Sequence, residues 1–159
     1  MAASVWPAAR HINDLGGHGP AVPCGLRAEP FATTRLPTDP TVIAPDGSSV
    51  RVLLGLAGGG MAHFELAPGQ TAHAVTHRTV EEIWFIVSGR GEMWRSQGGR
   101  EEVVPLVPGV CLTIPLGTHF QFRAGPGTGL AAVAVTMPPW PGEGEAAHVQ
   151  GPWQSGLTG

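Results

Sequence analysis

The stretch PGQTAHAVTHRTVEEIWFIVSGRGE, running from Pro68 to Glu92, decides the fold. Its centre, Ile83-Trp84-Phe85-Ile86-Val87, is apolar at every position, so the alternation of a half-buried strand is lost. Burial on both sides is expected where one face of a strand looks into a barrel and the other packs on a second sheet or another subunit. Pro68-Gly69 forms the turn that enters the segment, and Gly89 and Gly91 permit a tight hairpin after it.

The same grammar repeats on either side. The spacing predicts strands at Thr41–Ala44, Ser49–Leu56, Gly60–Leu66, Thr71–His77, Val80–Ser88, Gly91–Gln97, Glu101–Leu106, Val110–Pro115, Thr118–Arg123 and Leu130–Met137. Turn signals divide them at Pro45-Asp46-Gly47, Ala57–Gly59, Pro68-Gly69, Gly89, Gly98-Gly99, Pro108-Gly109 and Gly125–Gly129. Short strands so spaced predict an all-β sandwich or barrel without long helices. Residues 1–40, rich in Ala, Gly and Pro, read as an N-terminal extended arm, residues 41–137 as the barrel, and residues 138–159 as a loosely attached Pro/Gly-rich tail.

Two stretches carry a family resemblance. Gly69, His77, Glu82 and Gly89 fall in register with the first cupin motif, which runs Gly, five residues, His-x-His, three or four residues, Glu, six residues, Gly. The second stretch, PGVCLTIPLGTHFQFRAG from Pro108 to Gly125, resembles the second motif, with Gly109, Pro115 and Gly117 in register. The resemblance covers roughly the middle half of the chain. It implies a cupin-type double-stranded β-helix, a jelly-roll barrel of two antiparallel sheets. Family members that bind metal use both histidines and the glutamate of the first motif with the histidine of the second. Here Val75 and Phe120 stand at two of those four positions, Ala124 stands at the asparagine position, and only His77 and Glu82 are retained.

His77 and Glu82 are therefore the candidate catalytic residues, as an acid/base pair or as ligands of a divalent metal such as Fe, Zn, Ni or Mn. His73, Val75, Trp84, Phe120 and Phe122 are expected to line the cavity, with Trp94 either pocket or core. A metal would need a third ligand. On a regular strand His73 and His77 lie about 13 Å apart, so sharing a metal requires a bulge. His119 is the alternative, but alternation turns it away from Phe120 and Phe122 unless the Gly117-Thr118 turn rotates it inward. Glu81 is expected to face away, His63 and Glu65 to face water or a subunit interface, and Cys111 to be a small buried hydrophobe.

Composition narrows the function. The 159 residues are 42% hydrophobic and 13% charged, which suits one domain with a core. The net charge is −3, no basic stripe appears, and nucleic acid has no electrostatic foothold. No apolar run approaches a membrane span. Met1 to Arg10 lacks the pattern of a secretory signal, and Cys24 and Cys111 do not form a disulfide framework, so a cytoplasmic protein is expected. The leading expectation is a small-molecule enzyme with its site inside the barrel, with isomerase, cyclase, lyase and dioxygenase chemistry all open. The alternative is a non-catalytic small-ligand binder without metal, and a purely structural role is the third class. Strands apolar on both faces predict a homodimer.

Overall fold

The computed structural model describes residues 30–156, and the first 29 residues of the expected arm, with Cys24, lie outside them. Eleven strands are formed and no helix among the described residues: β1 Val42–Ile43, β2 Ser49–Leu56, β3 Gly59–Leu66, β4 Val75–His77, β5 Glu81–Gly89, β6 Gly91–Gln97, β7 Arg100–Leu106, β8 Cys111–Ile114, β9 His119–Ala124, β10 Leu130–Met137 and β11 Ala146–His148. They build two antiparallel sheets, ordered β1-β2-β3-β10-β5-β8 and β11-β4-β9-β6-β7. The two sheets face each other across one core that includes Trp84, Ile86, Met93, Leu106, Ile114, Phe120, Phe122, Leu130 and Ala134.

The apolar β5 resolves into two faces. Trp84 and Ile86 are buried in the core, while Ile83, Phe85 and Val87 are 42%, 49% and 46% exposed on the outside of the first sheet. Trp84 anchors the interior, stacked on Phe64 and edge-on to Phe122, each at 5.0 Å between ring centres. Gly89 ends the strand because nothing larger fits: its φ is +82°, and a Cβ there would stand 1.7 Å from the Gly129 carbonyl oxygen.

One end of the barrel is apolar and the other polar. At the β5–β6 hairpin the interior is closed by Leu66, Leu106, Ala124 and Leu130. At the opposite end, Glu82 pairs with Thr136 and Ile114, and Thr136 in turn pairs with Gly60. The three-residue turn Arg78–Val80 joins β4 to β5 and delivers His77 to that same end.

The expected strand Thr71–His77 is regular only from Val75. Ala72 and Val75 both enter the core although they are three residues apart, so alternation breaks between them, and Thr71 makes only an isolated bridge to Arg123. Cys111 is exposed, because it alternates with the inward Leu112 and Ile114. His63 is buried beside Arg51, which also donates to the Pro37 and Thr38 carbonyls and so holds the described end of the arm on the sheet.

The expectation of a loose tail is also corrected. Residues 138–156 are docked along the barrel. β11 pairs with β4, Ala146 opposite His77. Gln121, on the outer face of the second sheet, donates to the Trp153 carbonyl and accepts from its amide. Arg123 lies 4.3 Å over the Trp153 ring. Gly151 allows this docking, since a Cβ there would meet Gln121 Oε1 at 2.3 Å. The central clamp is Glu145, which accepts from Thr79 N at 2.6 Å, Thr79 Oγ1 at 2.8 Å and Val80 N at 2.8 Å.

Loss of that clamp should therefore loosen the β4–β5 turn. Glu145→Ala is expected to lower unfolding free energy by about 1.5–3 kcal/mol, the range for hydrogen bonds to a charged group, whereas Glu143→Ala, at an exposed neighbour, should change little. Urea unfolding followed by tryptophan fluorescence checks this, and equal effects of the two variants would contradict it.

Candidate functional site

Toward the polar end of the barrel lie His77, Glu82, Thr118 and Thr136, all buried, on β4, β5, the turn before β9, and β10. Glu82 is 3% exposed and has no cation beside it. The Trp84 indole N–H donates to Glu82 Oε2 at 2.7 Å, a bond between two inward residues of one strand. Burial pushes the Glu82 carboxyl up to about 8; the Trp84 hydrogen bond pulls it back, and the buried Asp46 carboxylate pushes it further up.

His77 is 7% exposed. Its ring stands edge-on to Phe120 on one side and to Trp140 on the other, both at 5.1 Å. Burial among these rings pushes His77 down to about 4, against the opposing pull of Glu145. Its Nδ1 is buried without a hydrogen-bond partner. Burial alone would raise Glu145, but the bonds from Thr79 and Val80, with His77 nearby, hold it below the usual carboxylate range. At neutral pH the barrel end thus holds an uncharged imidazole and a protonated carboxyl, with Glu145 as a fixed anion behind the turn.

The expected cavity residues divide. Val75, Trp84, Phe120 and Phe122 are all in the core. His73 is met by other partners: its amide donates to the Asp46 carbonyl at 2.7 Å, its ring stacks on His148 at 5.1 Å, and the Asp46 carboxylate that acts on Glu82 also faces it. His119 is exposed, in register with Thr76 and Ser96 on the outer face, so the turn does not rotate it inward. Trp94 is buried on the outer face of the second sheet and donates to Glu101 at 2.7 Å. Among the described residues, no three or more His, Cys, Asp or Glu side chains assemble into a metal-holding group. Neither His73 nor His119 completes a set with His77 and Glu82, and one Glu82 oxygen is taken up by Trp84. The donors present do not fit the metal centre that the family resemblance implies.

Sequence reasoning missed Asp46, Trp140, Glu145 and His148. Asp46 was legible only as part of a Pro-Asp-Gly turn, yet it is buried, with its carboxylate on Ser48 N and Oγ at 2.8 and 2.6 Å. Trp140 and Glu145 act through a segment whose Pro/Gly content signals irregular chain and says nothing of where it docks.

Comparison with protein-family models and with curated proteins finds no match. Solved structures do match. The capsular polysaccharide assembling protein CapF from Staphylococcus aureus superposes with a TM-score of 0.56 at 18% identity, over 67% of this chain and 33% of that one. An uncharacterized conserved protein with a double-stranded β-helix domain from Klebsiella pneumoniae gives 0.55 at 18% identity, over 68% of this chain and 84% of its own. KdgF from Halomonas sp. gives 0.55 at 13% identity, over 69% and 97%. This chain thus spans about a third of CapF and nearly the whole of KdgF. The fold shared with these structures is the double-stranded β-helix, a barrel of two antiparallel sheets.

The shifted groups make stability depend on pH in a stated direction. The folded chain keeps the Glu82 proton up to about pH 8, while the unfolded chain releases it near 4.5, so the unfolded state binds fewer protons between these values and stability falls as pH rises. His77 works from the other side: unfolded it gains a proton near 6.5, folded only near 4, so stability falls as pH drops through that window. Glu82→Gln, which keeps an acceptor for Trp84, should match wild type near pH 5 and exceed it at pH 8 by about 1–3 kcal/mol, given about 1.4 kcal/mol per pKa unit. Urea unfolding at the two pH values tests this, and a difference independent of pH would contradict it.

Proposed function

We propose that the chain is a small-molecule enzyme that moves protons without a metal, with His77 as the base and Glu82 as the acid. The observation that carries this reading is the pair's burial in complementary neutral forms, at the polar end of an otherwise apolar barrel. Perturbed groups of this kind mark functional sites. His77 Nδ1, unpartnered, takes a proton from a carbon or hydroxyl of the substrate. Glu82, protonated on the oxygen that Trp84 does not engage, hydrogen-bonds to or protonates the substrate oxygen where charge develops. Reversal of the two transfers at a neighbouring atom gives isomerisation, and departure of a leaving group gives elimination. Among the described residues Cys111 is exposed and forms no disulfide, which accords with a reducing, cytoplasmic setting.

The test needs no prior substrate. Small oxo acids, hydroxy acids and sugar acids are incubated with the protein in heavy water, and loss of carbon-bound hydrogen is followed by NMR. Exchange should follow a bell-shaped pH profile with limbs near 4, where His77 becomes protonated, and near 8, where Glu82 loses its proton. His77→Ala and Glu82→Gln should each slow it by about 10²–10⁴, the usual contribution of one acid or base. Compounds that bind but never exchange would point to the non-catalytic binder.

We further propose a homodimer through the outer face of the first sheet, where Ile83, Phe85 and Val87 form an exposed apolar row beside Met61. Light scattering at micromolar concentration should give twice the chain mass, and Phe85→Glu should halve it. A wild-type monomer would contradict this.

A further inference from the structure

Among the described residues, the buried side-chain atoms without a hydrogen-bond partner are His63 Nδ1, Gln70 Oε1, His73 Nε2, His77 Nδ1, Arg95 Nε and Thr118 Oγ1. The last three share one end of the barrel. Val75, Phe120 and Arg95 form a cross-strand row over β4, β9 and β6. Directly paired residues leave a sheet on the same face, and Phe120 is in the core, so Arg95 enters the barrel. His77 and Thr118 stand two residues nearer the polar end on their own segments, on that same face by alternation. They are 7% and 3% exposed.

Arg95 is fixed in place. Its Nη1 donates to the Thr113 carbonyl at 2.5 Å and its Nη2 to Glu102, which leaves Nε–H unused. Glu102 is shared with Arg100, so two guanidinium groups face one carboxylate at this edge, while the Glu145 anion stands on the far side of His77's turn. Arginine Nε–H only donates, a threonine hydroxyl donates or accepts, and an imidazole nitrogen does either according to its tautomer. A neutral donor-only ligand cannot satisfy Arg95. A group with two acceptor oxygens and negative charge satisfies both Arg95 and Thr118.

We infer that the ligand of this site is a small carboxylic acid, its carboxylate seated between Arg95 Nε and Thr118 Oγ1 and its adjacent carbon turned toward His77. The inference rests on the proton-transfer reading of His77 and Glu82, for which it supplies the substrate class. The body of the ligand lies against the rings that already frame His77, Phe120 and Trp140. The carbon beside a carboxylate is then the one presented to the base, as proton abstraction from an organic acid requires.

The experiment titrates isotope-labelled full-length protein with benzoate and with benzamide, its neutral isostere, following the Arg95 Nε–H and His77 ring signals by NMR. Benzoate should bind saturably, shift Arg95 Nε–H, and bind about tenfold tighter than benzamide, as a charge-assisted pair should. Arg95→Lys keeps the charge but loses the fork, and Thr118→Val keeps the shape but loses the hydroxyl. Each should weaken benzoate by about tenfold and leave benzamide nearly unchanged. The near-ultraviolet tryptophan spectrum reports whether each variant is folded, and if Arg95→Lys is not, Thr118→Val carries the comparison alone. Benzoate binding that is equal in wild type and variants, or no shift at Arg95, would overturn the inference. Benzamide binding that matches benzoate while shifting His77 would overturn the carboxylate alone and leave the His77–Glu82 site standing. Loss of hydrogen–deuterium exchange across all acids would instead sink the underlying reading.

Discussion

Burial without an ion pair is the constraint on which the barrel end depends. Glu82 is almost wholly removed from water and is met by an indole N–H instead of a cation. His77 is enclosed by two aromatic edges. Charging either group in such surroundings is unfavourable, so each stays neutral on its own account. An acid and a base that paired by direct proton transfer would cancel each other as catalysts. Kept apart in neutral forms, they coexist over the pH range between their shifted values. The rest of the polar end follows from this. The short turn Arg78–Val80 must hold the two residues in fixed relation, Glu145 clamps that turn from the C-terminal segment, and β11 continues the second sheet alongside His77.

Much of the fold was legible because it is written in local signals. Proline and glycine punctuation sets most strand limits to within a residue or two, apart from the start of β4 and the unforeseen β11. Gly89 shows why: a glycine is required there by the Gly129 backbone, whatever the function. The inward positions of Phe120 and Phe122 followed from period two along a regular strand. That argument failed between Ala72 and Val75, where the strand is irregular, so period two no longer ties the direction of His73 to that of His77. Cys111 was misjudged for a related reason: residue type suggested burial, while its parity with Leu112 and Ile114 put it outside.

The site was less legible than the fold. His77 and Glu82 emerged from motif register, but the residues that determine their chemistry lie far off in the chain. Glu145 is 66 residues from Thr79, and nothing in a Pro/Gly-rich stretch marks one of its two nearby glutamates as the buried clamp. Asp46, which influences Glu82, looked like an ordinary turn residue. Arg95 reads as one polar residue in a half-exposed strand until its partner Phe120 shows which way it points. Val75 and Phe120, which stand where the resembled motifs carry histidines, gain their meaning from the structure. These two positions are core packing, and the Phe120 ring stands edge-on to His77.

The central claim is that Glu82 and His77 are both uncharged at neutral pH because of where the barrel puts them. The direct measurement is an NMR titration of the intact protein, following the Glu82 side-chain carboxyl carbon and the His77 ring carbons from pH 3 to 10. The account predicts a Glu82 midpoint near 8 and a His77 midpoint near 4. Midpoints at the ordinary values of 4.5 and 6.5 would mean that water reaches both groups, and would contradict it.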